Sequence, residues 1–395
     1  MASNPQELTG KLTGSRFARR LALFYASLFV ALGVQLPFLP VWLSAKGLDA
    51  QTIGVVLALP MILRLFAIPM ATRAADRHDA LRAVIVVAAG AALAGYFALG
   101  FTAGALAIAV VYALAATAFM PLFVLSDVYA LRGLAPHRRA YGPVRLWGSA
   151  AFVVTTLAAG YLLDVMAAGD LIWLIVAALG LCAAAAWMLV PIEARPAGAS
   201  GSMPSASALL RRPEFIAVAL AASLIQASHA LYYSFSTLDW QAAGFGGLTI
   251  GMLWALGVLA EIVLFAFSAR LPAAFTPSVL ILVGAAGALV RWTAMALGPP
   301  SALLPALQCL HGLSFGATHL GTLALIARAA PAGLGASAQG YVSVILGIAM
   351  AGATGLAGLL YGGLGAAAYG AMALIAGAGF VAAVVAHRMQ AGKNL

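Results

Sequence analysis

Apolar residues run almost end to end through this chain, broken by short polar groups at intervals close to the length of a membrane-crossing helix. The apolar runs fall at 18–43, 51–71, 81–100, 103–131, 141–164, 170–190, 213–239, 247–269, 275–297, 300–328, 334–361 and 366–387. A helix needs about 20 residues to cross the hydrocarbon of a bilayer, so the pattern predicts an all-α membrane protein with twelve transmembrane helices. The one long polar interruption, 191–212, is rich in Pro, Ala, Ser and Gly and ends in Arg211 and Arg212. It reads as a flexible linker between two six-helix bundles, 1–190 and 213–395.

The two halves are related. Shifting the sequence by 197 residues lays Phe38–Leu59 over Phe235–Leu256, with identities at Phe38/Phe235, Ala45/Ala242, Gly47/Gly244, Thr52/Thr249, Ile53/Ile250, Gly54/Gly251, Ala58/Ala255 and Leu59/Leu256. The same shift puts Arg64 on Glu261, the single carboxylate in an otherwise uncharged run from Leu248 to Ala269. Opposite charges at matching depths of a duplicated membrane protein read most simply as a transporter with its site between the halves.

Composition agrees with lipid as the natural solvent: 64% of the 395 residues are hydrophobic and 8% charged, where soluble domains carry about 25% charged residues. Of the 21 basic residues, seventeen sit at the ends of runs that face one side. The other side holds Lys46, and Arg64, Arg145 and Arg291 lie inside runs. By the positive-inside rule both termini are cytoplasmic. The net charge of +10 is dispersed over these loops, with no basic domain interleaved with aromatics, so lipid rather than nucleic acid is the expected partner. Cys182 and Cys309 lack metal-ligand spacing, and no metal or other cofactor is expected. The first run is long, contains Pro37 and Pro40, and reads as a span, not a cleavable signal. Loops are too short for a soluble catalytic domain, which weighs against an enzyme. Strings such as Gly352-Ala353-Thr354-Gly355 and Gly362-Gly363 would let helices approach closely or simply pack.

Charges inside the runs call for partners or a water-filled cavity, since each costs about 2.5–3.5 kcal/mol at mid-bilayer. At ~1.5 Å per residue, Asp127 and Arg145 lie about 7 and 9 Å inside the same boundary on consecutive helices. They can pair, either as a fixed strut or as a substrate or gating contact. Glu261 and His319 each precede a boundary arginine by nine residues, which places both roughly 13 Å in, and Arg291, His311 and His229 near 25 Å, at a second level. Desolvation disfavours a carboxylate and a neighbouring arginine favours it, so Glu261 can be poised to exchange a proton. Each histidine reads equally as a hydrogen-bonded helix contact or as a proton or substrate contact. Arg64 could snorkel or face the cavity and attract an anion. Tyr232, Tyr233, Trp254, Trp147, Phe152, Phe235 and Phe315 could stack on a flat substrate, or pack in the core or against lipid.

Tyr141-Gly142-Pro143-Val144-Arg145-Leu146-Trp147-Gly148-Ser149, Ser228-His229-Ala230-Leu231-Tyr232-Tyr233, Leu253–Glu261, and Leu310-His311-Gly312 with His319 resemble the phenylpropionate permease family of the major facilitator superfamily, from Phe24 to about Phe380. The resemblance implies uptake of a small aromatic carboxylate with protons across the bacterial inner membrane, and a monomer is expected. A more distant resemblance is to lactose permease-type sugar/proton symporters. It implies an acidic-arginine sugar-contact pair at Asp127 and Arg145, a stacking position at Phe152 and a coupling cluster at Glu261, Arg291 and His311. Two departures stand out. Ser314 occupies the position of the proton-accepting glutamate, and Phe152 that of the stacking tryptophan. The 2–3 loop retains the superfamily's Asp-Arg core as Asp76 and Arg77 but lacks its leading glycine, and reads either as a helix cap that stabilises one state or as solvated charge.

Together these point to a symporter that rocks 1–190 against 213–395. Arg64, Arg145 or Arg291 would neutralise the substrate carboxylate, Glu261 would take the proton, and His311 and His319 would adjust it. Asp127, Phe152, His229, Tyr232, Tyr233 and Trp254 would line the substrate. A neutral sugar or nucleoside symporter and a drug efflux transporter remain alternatives. A transporter-like sensor lacks an appended signalling domain, and an intramembrane enzyme lacks a nucleophile-base constellation.

Overall fold

The computed structural model describes residues 5–192, 206–329 and 335–391, with side chains over 14–192, 209–326 and 338–390. Most of the linker expected at 191–212 lies outside the described residues.

Eleven continuous helical stretches are long and apolar enough to cross a membrane. The last, Ala338–Gln390, has 53 residues, which at ~1.5 Å each is more than twice the thickness of the hydrocarbon. A 3₁₀ turn at Gly365–Ala368, opened by Gly365 at φ +53°, divides it into two helices. Among the described residues there are therefore twelve spans. We number them α1 (Pro5–Ala45), α2 (Ala50–Arg77), α3 (Leu81–Gly100), α4 (Ala105–His137), α5 (Tyr141–Val165), α6 (Ala168–Trp187), α7 (Pro213–Ala242), α8 (Gly247–Arg270), α9 (Pro277–Ala296), α10 (Ser301–Ile326), α11 (Gly335–Leu364) and α12 (Tyr369–Ala391).

The chain packs as two compact units, one of Met1–Leu48, Leu63–Ala197 and Gly246–Gly251, the other of Asp49–Ile62, Gly198–Phe245 and Met252–Leu395. In the first, α1 is central and packs on α4, α5 and α6, while α3 packs on α4 and α6. In the second, α7 is central and packs on α10, α11 and α12, while α9 packs on α10 and α12. Adding six to each helix number converts the first description into the second. The 197-residue repeat in the sequence is thus also a repeat of packing.

Two close backbone crossings fall at glycines on helices that the repeat relates. In the second unit a Cβ on Gly54 of α2 would stand 2.6 Å from the Cα of Gly358 on α11. In the first unit a Cβ on Gly160 of α5 would stand 2.4 Å from the carbonyl oxygen of Gly247, and one on Gly251 would stand 2.6 Å from that of Thr156. Gly251 is the mate of Gly54. The glycine strings expected to provide close approach behave differently. Gly352, Gly355 and Gly363 face open space, and Gly362 touches Ala50 only at ordinary contact distance. Spacing along a helix does not say which side of it meets a neighbour.

Helix ends are held by specific acceptors and donors. Asp49 accepts the Thr52 N–H at 2.8 Å and starts α2, and its bonds to Thr52 hold its carboxyl below the usual carboxylate range. Asp164 of α5 accepts the N–H groups of Gly247 and Leu248 at 2.5 and 3.1 Å, which satisfies the first turn of α8 with a negative charge. At the far end of α6, Arg20 donates to Met188 O, Arg82 to Trp187 O and Leu189 O, and Tyr129 to Val190 O, so three other helices cap its terminal carbonyls.

Candidate functional site

Each unit holds a polar cluster within its apolar mass. In the second unit, α7 is interrupted between Pro213–Ala227 and Ala230–Ala242. The break seats His229, fully buried, with Nδ1 3.1 and 3.2 Å from the carbonyls of Ile225 and Gln226. Two acceptors at Nδ1 place the ring proton there, so Nε2 is an acceptor and takes the hydroxyl hydrogen of Ser314 at 3.0 Å. Ser314 itself sits in a π-helical turn, Gly312–Ala317, in the middle of α10. Such turns insert a residue into the ladder and re-aim the side chains around it. Ser228, beside His229, accepts the indole N–H of Trp292 at 2.8 Å.

Arg291 on α9 is 0% exposed and is the largest buried charge in the second unit. Its guanidinium carbon lies 4.5 Å from the ring centroids of both Tyr232 and Trp292. One terminal nitrogen donates to Gln308 Oε1 and the other to His311 Nδ1 at 3.1 Å. An arginine can only donate, so Nδ1 of His311 accepts and the neutral ring carries its proton on Nε2. That nitrogen is 3.9 Å from Glu261 Oε2. The positive charge, the imidazole and the carboxylate therefore form one line from α9 through α10 to α8. Arg291 Nε and Gln308 Nε2 have no acceptor among the described residues.

Aromatic rings surround this line. Tyr232 and Trp254 lie 4.4 Å apart by centroid, Tyr233 stacks on Trp254 at 6.2 Å, and His229 stacks on Tyr233 at 5.7 Å. Along α10, His311, Phe315 and His319 make a ladder of near-parallel rings at 5.2 and 5.9 Å. His311 and Glu261 were expected at two levels, and the structure puts them in one. Counting back from boundary arginines assumes that α8 and α10 end at the same height and run untilted, and the π turn breaks that count on α10. His319, two turns along from His311, is exposed.

In the first unit the expected Asp127–Arg145 pair does not form. Asp127 Oδ1 accepts the phenol hydrogens of Tyr25 and Tyr141, each at 2.7 Å, which joins α1, α4 and α5. Arg145, one turn along from Tyr141, instead lays its guanidinium over Phe29 at 4.1 Å and Tyr25 at 5.4 Å. Two short phenolic bonds satisfy the carboxylate, and the aromatic faces hold the cation. Phe152 is buried further along α5, and Thr156 bonds Gly33 O of α1 at 3.2 Å. Trp147 is 61% exposed and is not part of the cluster. Phe235 stacks on Tyr361 at 4.6 Å. Arg64 is half-buried on α2 in the first unit, whereas its repeat mate Glu261 belongs to the second. Asp76 pairs with Arg132 at 3.1 Å on an exposed surface, and Asp79 approaches the same arginine at 3.8 Å. Arg77 is exposed beside them.

Sequence reasoning missed Tyr25, Tyr141, Gln308, Ser228 and Trp292. Gln308 had a signal: it precedes His311 by three residues, a spacing at which side chains are neighbours on a helix. Tyr141 stands in a motif that carries the resemblance but was given no role of its own, and Tyr25 gave no signal. Among the described residues no three His, Cys, Asp or Glu side chains stand close enough to hold a metal ion.

The profile of the MFS_1 like family matches residues 18–374. A probable 3-phenylpropionic acid transporter of Escherichia coli (strain K12) is 33% identical over 352 residues, covering 87% of this chain and 91% of that protein. A maltose permease of Geobacillus stearothermophilus is 30% identical over 315 residues, 78% of each. Among solved structures, the nucleoside transporter NupG aligns with a TM-score of 0.78 at 16% identity, covering 94% of this chain and 98% of that one. A bacterial homolog of the human lysosomal transporter Spinster, inward-facing and occupied, aligns at 0.73 with 14% identity and 98% of both chains.

Proposed function

Because the chain belongs to the MFS_1 like family of membrane transporters and is therefore no enzyme, we propose that it is a proton-coupled symporter importing a small aromatic carboxylate by alternating access. The observation that carries this reading is the line Arg291–His311–Glu261, in which a buried cation is separated from its counter-charge by one imidazole ring. With Glu261 ionised the line is close to neutral. A proton on Glu261 leaves the charge of Arg291 uncompensated in a region of low dielectric, where it attracts an anion. Proton and carboxylate then each strengthen binding of the other, and this linkage is what symport requires. Tyr232, Tyr233 and Trp254 offer π faces to the ring of the substrate, with Phe315 on α10. His319, Arg64, Arg145, Phe152, Asp127 and His229 complete the substrate and proton contacts of this reading, and Asp76 and Arg77 act as its conformational motif. The name of the Escherichia coli relative supports a phenylpropionate-like substrate.

In this reading the protein works as a monomer in the bacterial inner membrane, its halves are 1–190 and 213–395, and its arginine-rich end with both termini lies in the cytoplasm. No cofactor is needed, and the coupling ion is a proton.

A neutral sugar is the second reading, favoured by the relative named as a maltose permease. Uptake into proteoliposomes separates the two. Labelled phenylpropionate should accumulate when the outside is acidified and cease to do so with an uncoupler, while a labelled galactoside or maltose should not accumulate. Accumulation of the sugar alone, or phenylpropionate uptake indifferent to the pH gradient, would overturn the proposal.

A further inference from the structure

Beyond transport itself, one surface feature of the second unit has a built chemistry. Before α7 the chain makes a 3₁₀ turn, Ala206–Arg211. Leu209 fixes this turn by packing, 1% exposed, against Phe215, Ala219, Ile326, Ala338 and Val342. With Leu209 inward, Leu210 and Arg211 border a groove of 360 Å³ on the flank of the helices. Its walls are Ile216 and Leu220 of α7 and Ala382, Val385 and Met389 of α12. Arg211 is the one charged residue in the lining, and no carboxylate shares it. Arg388, exposed on the same last turns of α12 as Val385 and Met389, adds a second cation at that end. Leu210, Leu220 and Val385 are each about two-fifths exposed, so the groove opens sideways.

A comparable groove of 380 Å³ between α2, α3 and α4, lined by residues such as Phe66, Met70 and Val87, has no charge at all. Both would face lipid tails. The first differs in carrying a cation, Arg211, in its own lining. Basic pockets between spanning helices at a cytoplasmic face are a recurrent form of anionic headgroup recognition.

We propose that the α7–α12 groove binds an anionic phospholipid of the leaflet facing the arginine-rich end, one acyl chain lying between the helices and the phosphate meeting Arg211 and Arg388. The lipid would tie the start of α7 to the end of α12, directly after the segment that joins the halves.

The test uses the full chain, purified in neutral detergent and offered phosphatidylglycerol and phosphatidylcholine in equal amounts, with bound lipid read by native mass spectrometry. Phosphatidylglycerol should be retained preferentially. In the Arg211→Gln/Arg388→Gln variant that preference should fall roughly tenfold or more. Ala382→Trp should fill the slot and reduce retention of the lipid at this site, and Ala88→Trp, in the uncharged groove, should leave the preference unchanged. Equal retention of the two lipids by the unaltered chain would overturn the proposal. So would full preference in the double arginine variant, or displacement of the lipid by inorganic phosphate, because the acyl chain is what supplies most of the binding. Size-exclusion profiles matching the unaltered chain verify that each variant is folded.

Discussion

His311 turns Nε2 toward Glu261, 3.9 Å from Oε2, while its Nδ1 is held by Arg291 at 3.1 Å. The arginine thus fixes which face of the imidazole addresses the carboxylate. If Glu261 takes the coupled proton, Glu261→Gln mimics the protonated carboxyl permanently. Accumulation driven by a pH gradient should fall to the equilibrium level, while exchange of labelled for unlabelled substrate continues. Counterflow and gradient-driven uptake measured on the same proteoliposomes check this. Undiminished accumulation removes Glu261 from coupling.

The buried cation makes a second, energetic prediction. Arg291→Gln removes the positive end of the line and the guanidinium hydrogen bonds to Gln308 and His311, and a hydrogen bond to a charged group is worth about 1.5–3 kcal/mol. If the two charges sense one another through His311, adding Glu261→Gln removes a carboxylate that has lost that compensation, so the double variant should be more stable than the single Arg291→Gln. Thermal unfolding of the four purified proteins closes the cycle. Additive losses would mean that the two charges do not sense one another through His311.

Much of this architecture was legible in the sequence, and the missing parts share a cause. Run length and polar punctuation located all twelve spans, since a bilayer fixes the length of an apolar helix. Even the division near Gly365 falls between the expected runs 334–361 and 366–387. The shift of 197 residues that matched Phe38 with Phe235 anticipated the repeated packing of α1 and α7. Depth and direction were harder. Residue counting gives height along a straight helix, so it separated His311 from Glu261, which stand 3.9 Å apart in the structure, His311 at the start of a π turn. It gives no angle about the axis, so Asp127 was matched with Arg145 when Tyr25 and Tyr141 stood closer. The break in α7 at Ser228 and His229 has no proline to announce it.

Arg145 lies on Phe29 and Tyr25 instead of pairing with Asp127, and this separates two roles that the sequence left joined. Asp127→Ala removes the acceptor of two phenols and should destabilise by about 1–3 kcal/mol, read as a lowered melting temperature. Arg145→Gln loses two cation–π contacts, about 0.5–1 kcal/mol each. If Arg145 meets the substrate carboxylate, its loss should raise KM roughly tenfold, equivalent to about 1.4 kcal/mol. An unchanged KM with a large loss of stability would make Arg145 a strut.

The glycine crossings give a prediction with its own control. At Gly160 and Gly358 any side chain meets backbone, the carbonyl of Gly247 in one case and the Cα of Gly54 in the other. Backbone cannot swing aside as a flexible side chain can, so the helices must separate. Gly160→Val and Gly358→Val should each cost about 1–3 kcal/mol, typical of overpacking. Gly352, also on α11, faces open space, and Gly352→Ala should be neutral or slightly stabilising. Melting temperatures of the three variants, measured in one detergent, decide the matter. Equal behaviour of Gly352→Ala and Gly358→Val would mean that the close approach of α2 and α11 does not bear on stability. The repeat adds a constraint, because Gly160 and Gly358 serve related crossings in the two units. Their substitutions should therefore lower stability by similar amounts and, having no contact residue in common, should add when combined.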